Sequence, residues 1–542
     1  MSPGDSAAKS PRPNLILTGF MGTGKTAVGR EVARRLGWPF LDMDAEIEAR
    51  ASKPVPRIFA EDGEATFRAM ESALCQELSH RQGWVIATGG GALVDPANRA
   101  AMLNSGTAVC LTCEVDEILR RLTRSDNPER PLLDVVNPRA EIERLLTARR
   151  AAYAAVPWQI DTTGLTVDQI AAQVLALARV VTLPVHHPGG QYPIHIGQGL
   201  LDHVGDALGA ADIAPGSRIA LVAPTNLAPL YGERVQASLR RAEYEPFLCA
   251  IPDGEQHKTL ATVAGLYDRF LEGRLDRSGT VVSLGGGVTG DIAGLAAATF
   301  MRGVPFVQAP TTLLAMTDAS VGGKTGVDLA QGKNLVGAFK QPVVVVIDPT
   351  VLATLPKAEI RSGMAEVLKH GVLADAQLFA ELESPPGDAP LPISTSQLAR
   401  SLRVKIEVVE KDPYERGWRA VLNLGHTVGH GLERLSGFRL RHGEAVAIGL
   451  VAAARIAARL DRAAPTLAGR IEAALSAWGL PVRCPAYSVA AIWAALTHDK
   501  KRRGRTLRWI LPRAIGQVEI VSDVPPEVVR SVLREMGARE GT

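Results

Sequence analysis

The chain is short of most features that would mark a secreted, membrane or nucleic-acid-binding protein. Only 5 of its 542 residues are cysteine, scattered along the length. The lone C-x-x-C, Cys110 and Cys113, sits in the alternating run Ala108-Val109-Cys110-Leu111-Thr112-Cys113, so both read as strand residues of a protein kept in a reducing cytoplasm. The longest nearly apolar stretch, Ala445 to Ala454, falls well below the roughly 18–20 residues a membrane span requires. Met1 to Pro13 has Ser, Pro and Ala but no apolar segment, and reads as a disordered leader (1–12) and not a signal peptide. Charge of one sign is also lacking. With 60 Lys and Arg against 57 Asp and Glu, the net +3 gives no electrostatic case for a nucleic acid or a membrane partner. The one basic run, His498-Asp499-Lys500-Lys501-Arg502-Arg503, is short and has no interleaved aromatics on which bases could stack.

The length itself calls for two to four domains. Strand candidates at 15–18, 84–87 and 107–112 alternate with helices, and an amphipathic helix at 166–179 closes this first block, 13–179. Pro184-Val185-His186-His187-Pro188-Gly189-Gly190 then reads as a linker or the start of a strand. A second α/β block, 180–348, has strand candidates at 218–223, 246–251, 280–284, 305–308 and 343–347. From 349 to 542 helical periodicity dominates, at 397–412, 426–436, 443–461 and 466–478. The fold class is therefore α/β: a nucleotide-binding domain with a parallel sheet and helices on both sides, a second α/β domain, and a mostly helical domain.

Chemistry is concentrated in the first block around Gly19-Phe20-Met21-Gly22-Thr23-Gly24-Lys25-Thr26, a complete G-x-x-x-x-G-K-[ST] loop between an apolar strand and a helix. The glycines let backbone N–H groups approach phosphates, Lys25 can reach the β/γ-phosphates, and Thr26 can ligate Mg²⁺ with ATP. Asp42-Met43-Asp44 follows the run Pro39-Phe40-Leu41, placing one carboxylate for the Mg²⁺ shell and one for a hydroxylated acceptor. Arg68 and Glu71 stand one helical turn apart, Arg68 suited to a bidentate grip on a carboxylate. The strand Trp84–Ala87 empties into Thr88-Gly89-Gly90-Gly91. Arg120, Arg121, Arg124 and Arg130 surround Asn127-Pro128-Glu129-Arg130-Pro131-Leu132-Leu133, a candidate lid over the transferring phosphoryl group.

Over roughly 13–175 these motifs, with Arg149 four residues before Tyr153, resemble shikimate kinase. The resemblance implies ATP and Mg²⁺ at Gly22, Thr23, Gly24, Lys25, Thr26, Asp42 and Arg130, with Lys25 and Arg130 catalytic. It implies shikimate at Asp44, Arg68, Gly89, Gly90, Gly91 and Arg149. Ala151-Ala152-Tyr153 stands where the family commonly has Pro-Leu-Tyr, a change that touches packing and not ligands. Another small P-loop kinase, such as a gluconate kinase, is the alternative. Arg68, Arg149 and the triple glycine favour a carboxylate-bearing ring substrate.

The second half has different chemistry. Val281-Val282-Ser283-Leu284-Gly285-Gly286-Gly287-Val288-Thr289-Gly290-Asp291 runs from strand to glycine cluster to helix. Pro252-Asp253-Gly254-Glu255-Gln256-His257-Lys258 and Pro310-Thr311-Thr312 follow two more strands, as expected at the ligand crevice of an α/β sheet. Asn423-Leu424-Gly425-His426-Thr427-Val428-Gly429-His430 puts two histidines on one helical face; His442 follows, and Glu366 lies in an apolar helix upstream. One Glu and two His suit a catalytic zinc site. Lys324, Lys333, Lys369, Lys405 and Arg419 suggest a small, multiply anionic substrate.

Residues 180–542 resemble 3-dehydroquinate synthase along their whole length. The resemblance implies Zn²⁺ (or Co²⁺) on Glu366, His426 and His442, and a catalytic histidine at His430, with Lys324, Lys369 and Glu415 also catalytic. It places NAD at Thr225, Asn226, Asp253, Glu255, Lys258, Gly286, Gly287, Val288, Asp291, Thr311, Thr312, Lys324, Lys333 and the run Val351, Leu352, Ala353, Thr354. The heptulosonate phosphate substrate falls at Asp318, Lys324, Asn334, Lys369, Lys405, Arg419, Asn423 and Lys500, with Arg302 reaching toward a neighbouring subunit in a homodimer formed by this half. The family usually has Asp at the position of Pro224; the change bears on one ribose contact. The implied chemistry is a cycle without net redox change: NAD⁺ oxidises a hydroxyl next to the metal, phosphate leaves, the hydride returns, and the ring opens and recloses as a carbocycle. A polyol dehydrogenase, which would release NADH, and another sugar-phosphate cyclase are the rivals.

Overall fold

The computed structural model describes residues 13–124, 137–387, 391–415, 417–501 and 507–540, the side chains of 124 and 497–501 excepted. The leader 1–12, the lid segment with Arg130, and the side chains of Arg124 and Lys500 lie outside the described residues. Contacts divide the chain into two compact units. Unit 1 is Met1–Val180 with Gly197–Gly216 and Ala237–Tyr244; unit 2 is the remainder.

Unit 1 is built on a five-stranded sheet of order β2-β3-β1-β4-β5, comprising β1 (Asn14–Gly19), β2 (Phe40–Asp42), β3 (Val85–Ala87), β4 (Gly106–Thr112) and β5 (Trp158–Asp161). Every pairing is parallel, with Leu17 opposite Ala87 on one side and Val109 on the other. A central strand covered on both faces must be apolar throughout, and every residue of β1 is buried. Because β1 and β3 are parallel neighbours, the loops after Gly19 and after Ala87 leave the same edge. That brings the phosphate loop beside the triple glycine.

The edge strand β5 was not anticipated from its sequence. Trp158 is 3% exposed, with its ring edge-on to His203 at 6.1 Å. The Asp206 carboxylate accepts from His203 Nδ1 at 2.7 Å and from the Gln159 backbone N–H at 3.3 Å. These contacts place Gly197–Gly216 within unit 1. A division at residue 180 would separate Trp158 from His203.

Unit 2 is centred on a seven-stranded sheet of order β6-β7-β14-β11-β10-β8-β9. Its strands are β6 (Val181–His187), β7 (Gly190–Ile196), β8 (Arg218–Pro224), β9 (Glu245–Ile251), β10 (Thr280–Gly285) and β11 (Phe306–Pro310); after the separate hairpin β12 (Lys324–Leu329) and β13 (Gly332–Phe339) comes β14 (Val344–Ile347). The segment 184–190 is thus no linker. It belongs to a hairpin in which Pro184 faces Pro193, tolerable because β6 is an edge strand that needs no further donors. The hairpin β12–β13 escaped the sequence reading because β13 is largely exposed and carries little apolar alternation. Within the helical region a further hairpin forms, β15 (Trp509–Ala514) with β16 (Gln517–Val521). The helices that build the site are Lys357–Ala374, Thr395–Lys411, His426–Leu435 and His442–Arg459. The first is buried from Ser362 to Leu373, so Glu366, Lys369 and His370 are held inside.

Candidate active sites

In unit 1 the phosphate loop turns through Gly22 (φ 79°) and Gly24 (φ 98°), conformations that side-chain-bearing residues rarely adopt. Gly24 is the N-cap of the helix Lys25–Leu36, so the first backbone donors of that helix open onto the loop. Thr23 donates to the Phe20 carbonyl at 2.7 Å. Lys25 Nζ donates to the carbonyls of Gly19 and Phe20 at 2.9 and 3.0 Å, and burial, against the pull of Asp44 and Asp42, lowers its pKa. Thr26 Oγ1 donates to Asp42 Oδ2 at 2.6 Å, pairing the two groups expected around Mg²⁺. Arg121 reaches the same loop, donating to the Gly22 carbonyl at 3.3 Å.

The acceptor side is packed around the three glycines. A Cβ on Gly89 would lie 2.5 Å from Glu71 Oε1 and 2.7 Å from Asp44 Oδ1; one on Gly91 would lie 2.5 Å from Arg68 Nη1. The Gly90 carbonyl accepts from Arg149 at 3.1 Å and from the Tyr153 hydroxyl at 2.7 Å. Arg68 is anchored on Glu71 at 2.5 Å, and burial raises the pKa of both Asp44 and Glu71. The expected residues Asp44, Arg68, Gly89, Gly90, Gly91 and Arg149 are therefore brought together. Tyr153, noticed only as a motif position, is the residue that fixes the Gly90 carbonyl.

In unit 2 a cleft of about 620 Å³ is lined by Asp318, Lys324, Asn334, Lys369, Lys405, Glu415, Arg419, Asn423 and His426, together with Asp291. Its cations are held by acids and carbonyls. Lys405 pairs with Asp318 at 2.5 Å, and Lys324 with Glu415. Lys369 pairs with Glu366 and donates to the Leu422 carbonyl at 2.8 Å; Arg419 donates to the Pro413 carbonyl at 2.7 Å. Burial lowers the pKa of Lys405 and Arg419.

The dinucleotide positions group in smaller sets. Asn226 donates to Asp253 at 2.8 Å, Lys333 pairs with Glu255 at 2.9 Å, and Lys258 pairs with Asp291 at 2.6 Å. Burial, opposed by Lys258, raises Asp291 to about 6. Gly286 caps the helix Gly287–Thr299 directly after β10, close to Thr312, and Thr311 donates its N–H to the Gly285 carbonyl at 2.9 Å. Val288 follows within the first turn of that helix. Thr225 lines a separate open depression of about 410 Å³ with Leu248 and Ala250. Val351, Leu352, Ala353 and Thr354 form a short helix that Tyr231 reaches through Thr354 at 2.7 Å, outside the lining of the main cleft. Arg302 also lies outside that lining, on an exposed kink with Met301 (φ 48° and 71°).

The metal set converges. His442 Nε2 lies 3.2 Å and His426 Nε2 3.6 Å from Glu366 Oε1. The opposite nitrogens are engaged: His426 Nδ1 with the Leu424 carbonyl at 3.1 Å, His442 Nδ1 with Glu433 Oε1 at 3.1 Å. Each Nδ1 must carry its proton to make that bond, which leaves Nε2 lone pairs facing a carboxylate oxygen. Acceptors so opposed require a cation or a shared proton between them, and the donor set of one carboxylate and two imidazoles fits Zn²⁺ or Co²⁺. Although burial opposes ionisation, Lys369 and the two imidazoles hold Glu366 well below its ordinary pKa. The bonds to Glu366 and Glu433 overcome burial to raise His442 to about 10. His426 and His430 are both lowered, chiefly by burial. The His430 side chain is 59% exposed against 12% for His426, which separates a group open to proton exchange from an enclosed ligand. Glu433 was missed; a Glu one turn beyond His430 on the same helix was the available signal.

One half of the molecule is laid out as a small-molecule phosphotransferase and the other as a dinucleotide- and metal-dependent enzyme for an anionic substrate, a bifunctional class. Family models described as 3-dehydroquinate synthase, N-terminal and C-terminal, match residues 248–362 and 363–502, and one described as shikimate kinase matches 21–179. The 3-dehydroquinate synthase of Synechococcus sp. is 47% identical over 361 residues, covering 65% of this chain and 98% of that protein. That of Synechocystis sp. is 48% identical over 359 residues, covering 65% and 99%. A solved 2-epi-5-epi-valiolone synthase from Streptomyces hygroscopicus subsp. jinggangensis, with NAD⁺ and Zn²⁺ bound, is 31% identical at TM-score 0.58, covering 66% of this chain and 99% of its own. The chain belongs to the 3-dehydroquinate synthase family and carries a shikimate kinase domain ahead of it.

Proposed function

We propose that the chain catalyses two reactions of aromatic biosynthesis: ATP-dependent 3-phosphorylation of shikimate in unit 1, and cyclisation of 3-deoxy-D-arabino-heptulosonate 7-phosphate to 3-dehydroquinate with loss of phosphate in unit 2. The observation that carries the second assignment is the placement of Lys369, Lys405 and Arg419 in one cleft with the imidazole of His426. A neutral polyol would not need three buried cations, whereas a substrate with a carboxylate and a phosphate uses them all.

For the kinase, Lys25 and the helix N-terminus hold the phosphates, Thr26 and Asp42 the Mg²⁺, and Arg68 and Arg149 the shikimate carboxylate. Asp44, beside the glycines, orients the acceptor hydroxyl. Positioning and charge stabilisation dominate such a transfer. For the synthase, NAD⁺ and a divalent cation, when bound, supply a returnable hydride acceptor and a Lewis acid. Glu366, His426 and His442 hold the cation. Lys258, Asp291, Gly286 and Gly287 belong to the dinucleotide side, and the lysines and Arg419 orient the anionic substrate. His430, its ring open to solvent beside the enclosed His426, exchanges protons with the substrate. Structural relatives bind NAD⁺ with Zn²⁺ or with Co²⁺, which supports this cofactor set. We assign the protein to the cytoplasm as a homodimer through the synthase half, with Arg302 at the subunit contact. Among the described residues no helix is long and apolar enough to cross a membrane.

The test is a coupled assay of phosphate release and carbocycle formation from the heptulosonate, monitored at the same time for NADH. The expected result is one phosphate per carbocycle with no steady NADH. Stoichiometric NADH would establish the dehydrogenase rival.

A further inference from the structure

We propose that Glu433 is a positioning residue of the metal site, selecting the His442 tautomer whose Nε2 faces the cation; this rests on the assignment of Glu366, His426 and His442 as ligands. The helix His426–Leu435 carries His426, His430 and Glu433 toward the same side, and His442 opens the next helix after a turn through Gly437 and Phe438, both left-handed (φ 59°). Glu433 bridges that turn. Its Oε1 lies 3.1 Å from His442 Nδ1, and its Oε2 lies 4.0 Å from His430 Nε2. The side chain is 13% exposed, so solvent does little to weaken the contact.

The two ligand histidines solve one problem by different means. An imidazole that ligates through Nε2 must keep its proton on Nδ1. For His426 the Leu424 backbone carbonyl accepts that proton, a partner no substitution removes. For His442 the acceptor at Nδ1 is the Glu433 carboxylate. With the proton on Nε2 instead, Nδ1 and Glu433 Oε1 would be two acceptors facing each other at 3.1 Å. Glu433 therefore disfavours the wrong tautomer and aims Nε2 at the position shared with Glu366 Oε1, 3.2 Å away. The second carboxylate oxygen faces His430 at 4.0 Å, beyond hydrogen-bond distance, so its firm partner is His442.

The experiment uses the full chain. Zn²⁺ affinity is measured by competition with a chromophoric chelator for the wild type, Glu433→Ala, Glu433→Gln, His442→Ala and Glu366→Gln, with near-ultraviolet circular dichroism and shikimate kinase turnover as controls on folding. Glu433→Ala should weaken zinc binding about 10- to 100-fold, as loss of such a carboxylate partner does elsewhere. Synthase activity lost at limiting zinc should return at saturating zinc. Glu433→Gln, whose amide oxygen can still accept from Nδ1, should fall between the two. If zinc binding is unchanged in Glu433→Ala and Glu433→Gln but lost in His442→Ala and Glu366→Gln, the positioning role is wrong and the metal site stands. If none of the four changes zinc affinity, the metal assignment itself fails. Should Glu433→Ala not fold, unchanged affinity in Glu433→Leu, which fills the space but accepts no proton from Nδ1, would still overturn the proposal.

Discussion

The two sites are made of different materials. The phosphate site of unit 1 is mostly backbone: loop glycines and the N–H groups of a helix N-terminus, with Lys25 held on the Gly19 and Phe20 carbonyls. The metal site of unit 2 is almost wholly side chain. Its first contact, Glu366 to His442, joins residues 76 apart in sequence. An anion can be cradled by any chain that turns correctly, so local sequence suffices to build it. A cation needs particular donor atoms that converge from separate helices, and their approach is a property of packing.

Removing the cation should separate the two sites most sharply. A chelator should depress cyclisation by at least about 10³-fold, since a Lewis acid contributes several kcal/mol. Shikimate phosphorylation, assayed with Mg²⁺ restored in excess, should be unchanged, and Zn²⁺ or Co²⁺ should bring cyclisation back. Loss of both activities that zinc cannot reverse would mean the sites are not independent. A smaller effect is expected where the backbone cradle is filled. Gly89→Ala places a methyl 2.5 Å from Glu71 Oε1 and 2.7 Å from Asp44 Oδ1. Displacing these groups by about 1 Å should cost roughly 10²-fold in kcat/KM for shikimate. A normal value would show that the acceptor does not sit against Gly89.

Stability should differ between the units as well. Trp158→Ala empties a buried site on the edge strand of unit 1 and should cost about 3–5 kcal/mol, read as a lowered calorimetric transition for that unit. A fragment ending at residue 180, which loses the contact of Trp158 with His203, should unfold at a lower temperature than the same unit within the full chain. Equal midpoints would show that Gly197–Gly216 contributes nothing to it. The smallest effect at neutral pH belongs to His195 in unit 2, which burial lowers from an ordinary 6.5 to about 4. A base whose folded pKa lies below its unfolded one stabilises fully above pH 6.5 and loses that contribution as the pH falls toward 4. The loss is at most on the order of 3 kcal/mol, and His195→Gln should flatten that part of the pH–stability curve.

How much of this could be read in advance follows the same division. The strands β1, β8, β10 and β14 were legible because a strand buried on both faces is a short apolar run. The convergence of Asp44, Arg68 and Arg149 on the three glycines follows once β1 and β3 are parallel neighbours. The proposed metal site was legible as pieces: His426 and its neighbour His430 by their spacing, Glu366 as a carboxylate in an apolar helix. Glu433 was not, because its importance depends on where the chain places His442 after the turn at Gly437. At 184–190 the sequence reads equally as a linker or the start of a strand, because Pro184, Gly189 and Gly190 are also what a loop would use, and only an unpaired edge makes Pro184 acceptable within β6. Trp158 gave no local sign of its partner, which comes from a segment beyond residue 180.

The central claim is that one chain holds two separate active sites, and the Lys25→Ala protein assayed for both reactions tests it most directly. Lys25 lies half-buried at the phosphate loop, bonded to the Gly19 and Phe20 carbonyls, within unit 1. The account predicts that ATP-dependent phosphorylation of shikimate falls at least about 10³-fold, as loss of a phosphate-stabilising cation should cause, while phosphate release from the heptulosonate proceeds at the wild-type rate. A parallel fall in both activities, in a protein with unchanged circular dichroism, would contradict it.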